Sequence, residues 1–137
     1  MRVFLEHAVE LGIRYFDTAP SYGLSEERLG RFLRTLPESI RRELTIATKF
    51  GEHWNRGASQ PYVDHSYDAL RRSLDQSLAH LGRVDVPQLH KTSPEVLESG
   101  DLARAWEYAR SLGITRLGAS VSDLESAALA IADPQYW

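Results

Sequence analysis

The sequence predicts an α/β fold in which about four parallel strands are covered by helices, and three observations point to it. Short apolar runs alternate with longer stretches whose apolar residues recur every three or four positions. Glycine or proline punctuates most of the junctions between them. A polar or ionisable residue sits at the C-terminal end of each candidate strand, as its last residue or the one before it: Asp17, Lys49, His90 and Ser120. Strands alternating with helices at this spacing imply right-handed crossovers and a parallel sheet. The pattern by itself permits a doubly wound sheet or a piece of a barrel.

Val3, Phe4, Ala8 and Leu11 recur at helical spacing and stop at Gly12, which predicts a first helix of about ten residues. Ile13 to Asp17 follows as a short strand. Beyond Pro20 and Gly23, Ser25 is an N-cap before Glu26 and Glu27, and Leu29, Phe32, Leu33 and Leu36 mark the buried stripe of a second helix closed by Pro37. Leu44 to Phe50 is the second strand, and Gly51 to Gln60 reads as a polar loop. From Pro61, placed at the first helical position, Val63, Tyr67, Leu70, Leu74, Leu78 and Leu81 predict the longest helix, ending at Gly82. Val84 to His90 is the third strand. Leu102 to Leu112 is a helix closed by Gly113, Thr115 to Ser120 is the fourth strand, and Asp123 caps a last helix through Ile131.

A chain of 137 residues, 42% of them hydrophobic, can bury one modest core, so residues 1–137 are read as a single domain. Sixteen basic against nineteen acidic residues, a net charge of -3, give no electrostatic footprint for nucleic acid or an anionic membrane. A small neutral ligand fits better. The absence of cysteine excludes disulfide and thiolate chemistry. Arg2, Glu6 and Glu10 interrupt the apolar residues of Met1 to Gly12, unlike the continuous core of a signal peptide, and no apolar run of about 20 residues could span a membrane. The expected location is cytoplasmic. His7, His53, His65 and His80 show no metal-ligand spacing, so no metal is expected.

Functional side chains at the C-terminal ends of parallel strands are where α/β active sites are assembled. The run Gly12-Ile13-Arg14-Tyr15-Phe16-Asp17-Thr18-Ala19-Pro20-Ser21-Tyr22-Gly23, with Ser25-Glu26-Glu27-Arg28-Leu29-Gly30 after it, resembles the signature of the aldo-keto reductases. Thr48-Lys49-Phe50-Gly51 and Val86-Pro87-Gln88-Leu89-His90 resemble that family's strand ends bearing the catalytic lysine and active-site histidine. Gly118-Ala119-Ser120 resembles the segment that contacts the nicotinamide carboxamide. The resemblance implies a partial (β/α)8 barrel, a catalytic tetrad of Asp17, Tyr22, Lys49 and His90, and cofactor contacts from Asp17, Thr18 and Ser120. It also implies NADPH as cofactor and a small carbonyl compound as substrate.

The chemistry of these side chains agrees with that implication. Hydride delivered to a carbonyl carbon leaves charge growing on oxygen, so the site needs a proton donor and hydrogen-bond donors aimed there. Tyr22 can give the proton, a Lys49 ammonium within hydrogen-bond reach would stabilise the phenolate left behind, and an Asp17 carboxylate would keep that lysine charged. His90 would orient the carbonyl. Hydride must come from a cofactor, since no side chain donates it. Structural readings compete at each position: Asp17 with Lys49 could be a structural ion pair, Tyr22 a rim aromatic, and Lys91 a solvated strand exit. Phe50 and Trp54 are candidate walls of a substrate pocket.

About four strands stand where a closed barrel has eight, and the usual length of that fold is ~250 residues. The expectation is therefore a barrel cut at both ends, with residues 133–137 at the approach to a further strand and the cofactor's phosphate contacts absent. Two function classes follow: an NADPH-dependent reductase whose isolated activity is in doubt, or a non-catalytic interaction module retaining the half-barrel. In either case the open sheet edges favour a homodimer.

Overall fold

A computed structural model of the chain describes residues 2–55 and 57–133. Four parallel strands form one sheet in the order β1-β2-β5-β6. These are β1 (Tyr15–Asp17), β2 (Thr45–Phe50), β5 (Val86–Leu89) and β6 (Gly118–Ala119). Asp17 lies beside Ala47, Lys49 beside Gln88, and Leu89 beside Ala119. Helices α1 (Arg2–Glu10), α2 (Ser25–Leu33), α4 (Tyr67–Leu81), α6 (Gly100–Ser111) and α7 (Leu124–Ala132) connect them. The architecture is four strands' worth of a (β/α)8 barrel. Among the described residues, no helix is long and apolar enough to cross a membrane.

Alternation along β2 divides its side chains between two faces. Ile46, Thr48 and Phe50 turn toward the helices, where Phe50 meets Trp106 of α6 edge to face at 4.9 Å. Leu29, Phe32 and Leu33 of α2 join Leu70, Leu74 and Leu81 of α4 in the same core. Inside it sits one carboxylate. Glu26 Oε1 accepts from Thr48 Oγ1 at 2.5 Å and Ser77 Oγ at 2.7 Å, with His80 Nδ1 3.5 Å from Oε2. Buried carboxylates persist only when their oxygens are satisfied this way, and here the bonds tie β2 to both helices beside Lys49.

The two helices touch at Gly30, where a Cβ would stand 1.8 Å from the His80 carbonyl oxygen. That neighbour is backbone and cannot swing aside. Gly30→Ala is therefore expected to destabilise the fold by about 2–3 kcal/mol through overpacking, read as a lower urea midpoint. An unchanged midpoint would show that the α2–α4 contact is looser than described.

The stretch read as a loop from Gly51 to Gln60 is instead mostly an antiparallel hairpin, β3 (Glu52–Asn55) with β4 (Gln60–Val63). Its polar side chains hid the pairing. Pro61 lies in this hairpin opposite Trp54 and does not start the long helix. The chain extends through Asp64, whose Oδ1 accepts from Ser66 N at 2.9 Å, and α4 begins at Tyr67. Two short helices, α3 (Glu38–Glu43) and α5 (Pro94–Leu97), were not foreseen because neither buries a residue fully. The fourth strand is confined to Gly118–Ala119. Of the stripe expected to bury α1, only Ala8 is inside, while Val3, Phe4 and Leu11 are about seven-tenths exposed. Residues 134–137, expected to approach a further strand, lie outside the described residues, as does Arg56 within the former loop.

Candidate functional site

Lys49, on the sheet face opposite the helices, has a side chain only 8% exposed. Its ammonium pairs with Asp17 Oδ2 and donates to the Thr18 carbonyl at 3.1 Å. Asp17 uses both oxygens, because Oδ1 accepts from Gln88 Nε2 at 2.7 Å. Three neighbouring strands thus converge on one carboxylate.

Tyr22 rides a turn just beyond β1, in which its N–H bonds the Ala19 carbonyl and its own carbonyl accepts from Ser25 N. Gly23, at φ +63, completes a bend that a side chain would strain. The Tyr22 ring centroid lies 5.2 Å from Lys49 Nζ, and the His90 ring stands edge-on to it at 6.3 Å. The expected hydroxyl-to-ammonium hydrogen bond is not formed. Lys49 gives two of its three donors to Asp17 and Thr18 and meets the tyrosine as a cation against its ring.

His90 follows β5, its N–H donating to the Phe50 carbonyl at 2.8 Å. Its own carbonyl accepts from His65 Nε2 at 2.8 Å. Its Nδ1 is 3.2 Å from a Glu52 carboxylate oxygen, yet misaligned enough that this buried nitrogen has no formal hydrogen bond. Burial holds the His90 imidazole below its ordinary pKa of 6.5; Glu52 opposes this most, Lys49 and Lys91 reinforce it, and Asp17 opposes it weakly.

A histidine depressed in the folded state contributes stability above its unfolded pKa, and that contribution is lost as pH falls through the lower folded value. The urea midpoint should therefore fall between pH ~7.5 and pH ~5, and His90→Gln should flatten part of that fall. Identical pH dependence in the variant would contradict the burial of this ring.

Of the positions expected to serve a cofactor, Asp17 is at the centre of this cluster. Thr18 is buried with its hydroxyl donating to Ser25 Oγ at 2.9 Å, so only its carbonyl faces the lysine. Ser120 lies just past β6, its N–H bonded to the Leu89 carbonyl and its carbonyl accepting from Thr92 Oγ1. Phe50 does not wall a substrate pocket, since it packs in the helix-side core. Trp54 lines a cavity of about 200 Å3 with Pro20, Gly23, Tyr62 and Ser73, which none of the four tetrad residues lines. Sequence reasoning missed Gln88, Glu52 and His65. Gln88 carried a signal, being a polar residue two positions before His90 in an apolar strand and hence on the same face. Glu52 carried none, because the hairpin it opens was read as a loop, and neither did His65, because its extended segment was read as the first turn of the long helix.

The model of the aldo/keto reductase family matches residues 2–132. The chain is 36% identical over 157 residues to D-threo-aldose 1-dehydrogenase from a Pseudomonas species, covering 94% of this chain and 46% of that enzyme. It is 35% identical to L-glyceraldehyde 3-phosphate reductase of Escherichia coli K12, covering 81% of this chain and 34% of the relative. It superimposes on glycerol dehydrogenase from Gluconobacter oxydans with a TM-score of 0.74 at 30% identity, over 91% of this chain and 39% of that one. The chain thus spans less than half the length of each of these relatives.

Proposed function

This chain belongs to the aldo/keto reductase family, and from that premise we propose that it carries the proton-donating site of an NADPH-dependent reductase of aldehydes and ketones. The observation that carries the reading is the Lys49 ammonium, fixed by Asp17 and the Thr18 carbonyl and set 5.2 Å from the Tyr22 ring centre, with His90 edge-on to that ring. In this reading Tyr22 gives its hydroxyl proton to the carbonyl oxygen. Lys49 stabilises the phenolate that remains, Asp17 holds the lysine, and His90 orients the carbonyl. Gln88 acts through Asp17.

The donor set suits the nicotinamide end of a dinucleotide, whose carboxamide needs one donor and one acceptor: Asp17 and Ser120 stand at strand ends where they would hold it. When bound, NADPH supplies the hydride. The names of two relatives, an aldose dehydrogenase and a glyceraldehyde phosphate reductase, support a carbonyl or carbinol substrate of sugar type. A second reading, a non-catalytic module docking through its sheet edges, is favoured by the exposure of Val3, Phe4, Tyr15, Leu124 and Ile131.

The two separate in one experiment. Grafting this chain into the Gluconobacter glycerol dehydrogenase in place of the segment it superimposes on should give a complete barrel that oxidises NADPH in the presence of glyceraldehyde. A folded chimera that binds NADPH but never turns over would favour the module.

A further inference from the structure

We propose that the cavity at the N-terminal ends of the strands, lined by Arg34, Arg41 and Arg83, is a binding site for a small phosphate ester, separate from the Lys49 cluster at the opposite strand ends.

The three arginines reach the cavity from three elements. Arg34 is the C-cap of α2, Arg41 belongs to α3, and Arg83 follows the Gly82 that ends α4. With Glu38 and the buried side chains of Leu33, Ile46 and Leu81 they line a space of about 250 Å3. Drug-sized sites usually span ~300–1,000 Å3, so the occupant is small. Ile46 is the second residue of β2, whereas Lys49 stands near its other end, and no tetrad residue lines the cavity.

Side chains at this end of a barrel ordinarily serve stability, and a purely structural cluster would match each guanidinium with a carboxylate. Arg83 meets that description, its Nε donating to Asp85 Oδ2 at 3.2 Å. Arg34 does not. Its Nη1 donates to the His80 carbonyl at 3.0 Å, near the end of α4, and among the described residues it pairs with no carboxylate. A helix end offsets only about half a unit charge, so Arg34 keeps a positive excess. Arg41 is tied only to Glu38, and its Nε is shut off from water with no partner among the described residues. Glu38 has a second cation, because Arg42 Nε donates to its other oxygen at 3.0 Å. Arg41 can therefore turn to a ligand while Glu38 stays paired.

Each guanidinium is a planar fork suited to anionic oxygens. A tetrahedral phosphate group offers three terminal oxygens, one for each fork, whereas a planar carboxylate offers two. The buried Leu33, Ile46 and Leu81 in the lining favour a carbon body over bare phosphate.

The test is nitrogen-15 NMR of the arginine Nε–H groups in this chain, titrated with phenyl phosphate, each signal identified by its loss in the corresponding Arg→Gln variant. The Arg34, Arg41 and Arg83 signals should shift saturably, while those of Arg28 and Arg110 should stay in place. Arg34→Gln should weaken binding by about 10-fold or more, the effect of a lost hydrogen bond to a charged group. Glu38→Gln should tighten it by up to about 5-fold, because the competing carboxylate is gone and an exposed pair contributes little to the fold. Shifts that never saturate, or that move Arg28 and Arg110 equally, would overturn the proposal. So would Arg34→Gln and Arg41→Gln chains that both bind as tightly as the wild type. Inorganic phosphate or benzoate binding as tightly as phenyl phosphate would overturn the assignment to a phosphate ester. None of these readouts involves carbonyl reduction, so a failure of the reductase reading would leave them standing.

Discussion

Replacing Tyr22 by phenylalanine is expected to lower carbonyl reduction in a completed barrel by about 100-fold to 10,000-fold, the range spanned by loss of one positioned proton donor. Cofactor affinity should barely change, because the hydroxyl serves only the transition state, and kcat and kcat/KM should fall together. Lys49→Met should be comparably damaging. It removes the cation beside the Tyr22 ring and leaves Asp17 charged in a cluster built around that cation. Asp17→Asn should cost less, since the carboxylate acts through the lysine and the Thr18 carbonyl still holds Nζ. Steady-state kinetics of the three variants check this order. Undiminished turnover in Tyr22→Phe would remove the tyrosine from the mechanism, and an Asp17 variant worse than Tyr22→Phe would make the aspartate chiefly structural.

The second large effect is self-association. Strands β1 and β6 are the edges of the sheet, each with a row of unpaired backbone groups. Before or within β1 in sequence stand the exposed side chains of Val3, Phe4, Ile13 and Tyr15, and after β6 those of Leu124 and Ile131. At roughly 25 cal/mol per Å2, covering a few hundred Å2 of such surface favours association by several kcal/mol. We propose that two copies pair about a two-fold axis, the simplest closed arrangement. Light scattering at micromolar concentration should report a species larger than a monomer, and Phe4→Glu combined with Leu124→Glu should shift it toward one. A stable wild-type monomer would contradict this.

What the sequence showed, and what it hid, divide along a physical line. Periodic apolar runs made β2, α4 and α6 legible, because burial of one face dictates their spacing. The polar ends of the strands pointed to one face of the sheet, where Asp17, Lys49 and His90 lie. The hairpin was illegible because Glu52 to Val63 is mostly polar or half-exposed and held by backbone pairing and by His53, whose Nε2 donates to the Asp64 carbonyl at 2.9 Å. The exposure of α1 was equally hidden: its apolar stripe was real, but Val3 and Phe4 remain about three-quarters exposed. The ring-face geometry of Lys49 and Tyr22 depends on how Asp17 and Thr18 share one ammonium, which no residue spacing encodes.

Saturation binding of NADPH to the purified chain tests the central claim most directly, because it asks whether these strand ends receive the cofactor at all. The account predicts weak but saturable binding that NADP+ displaces. NADPH that fails to saturate, or that NADP+ does not displace, would contradict it.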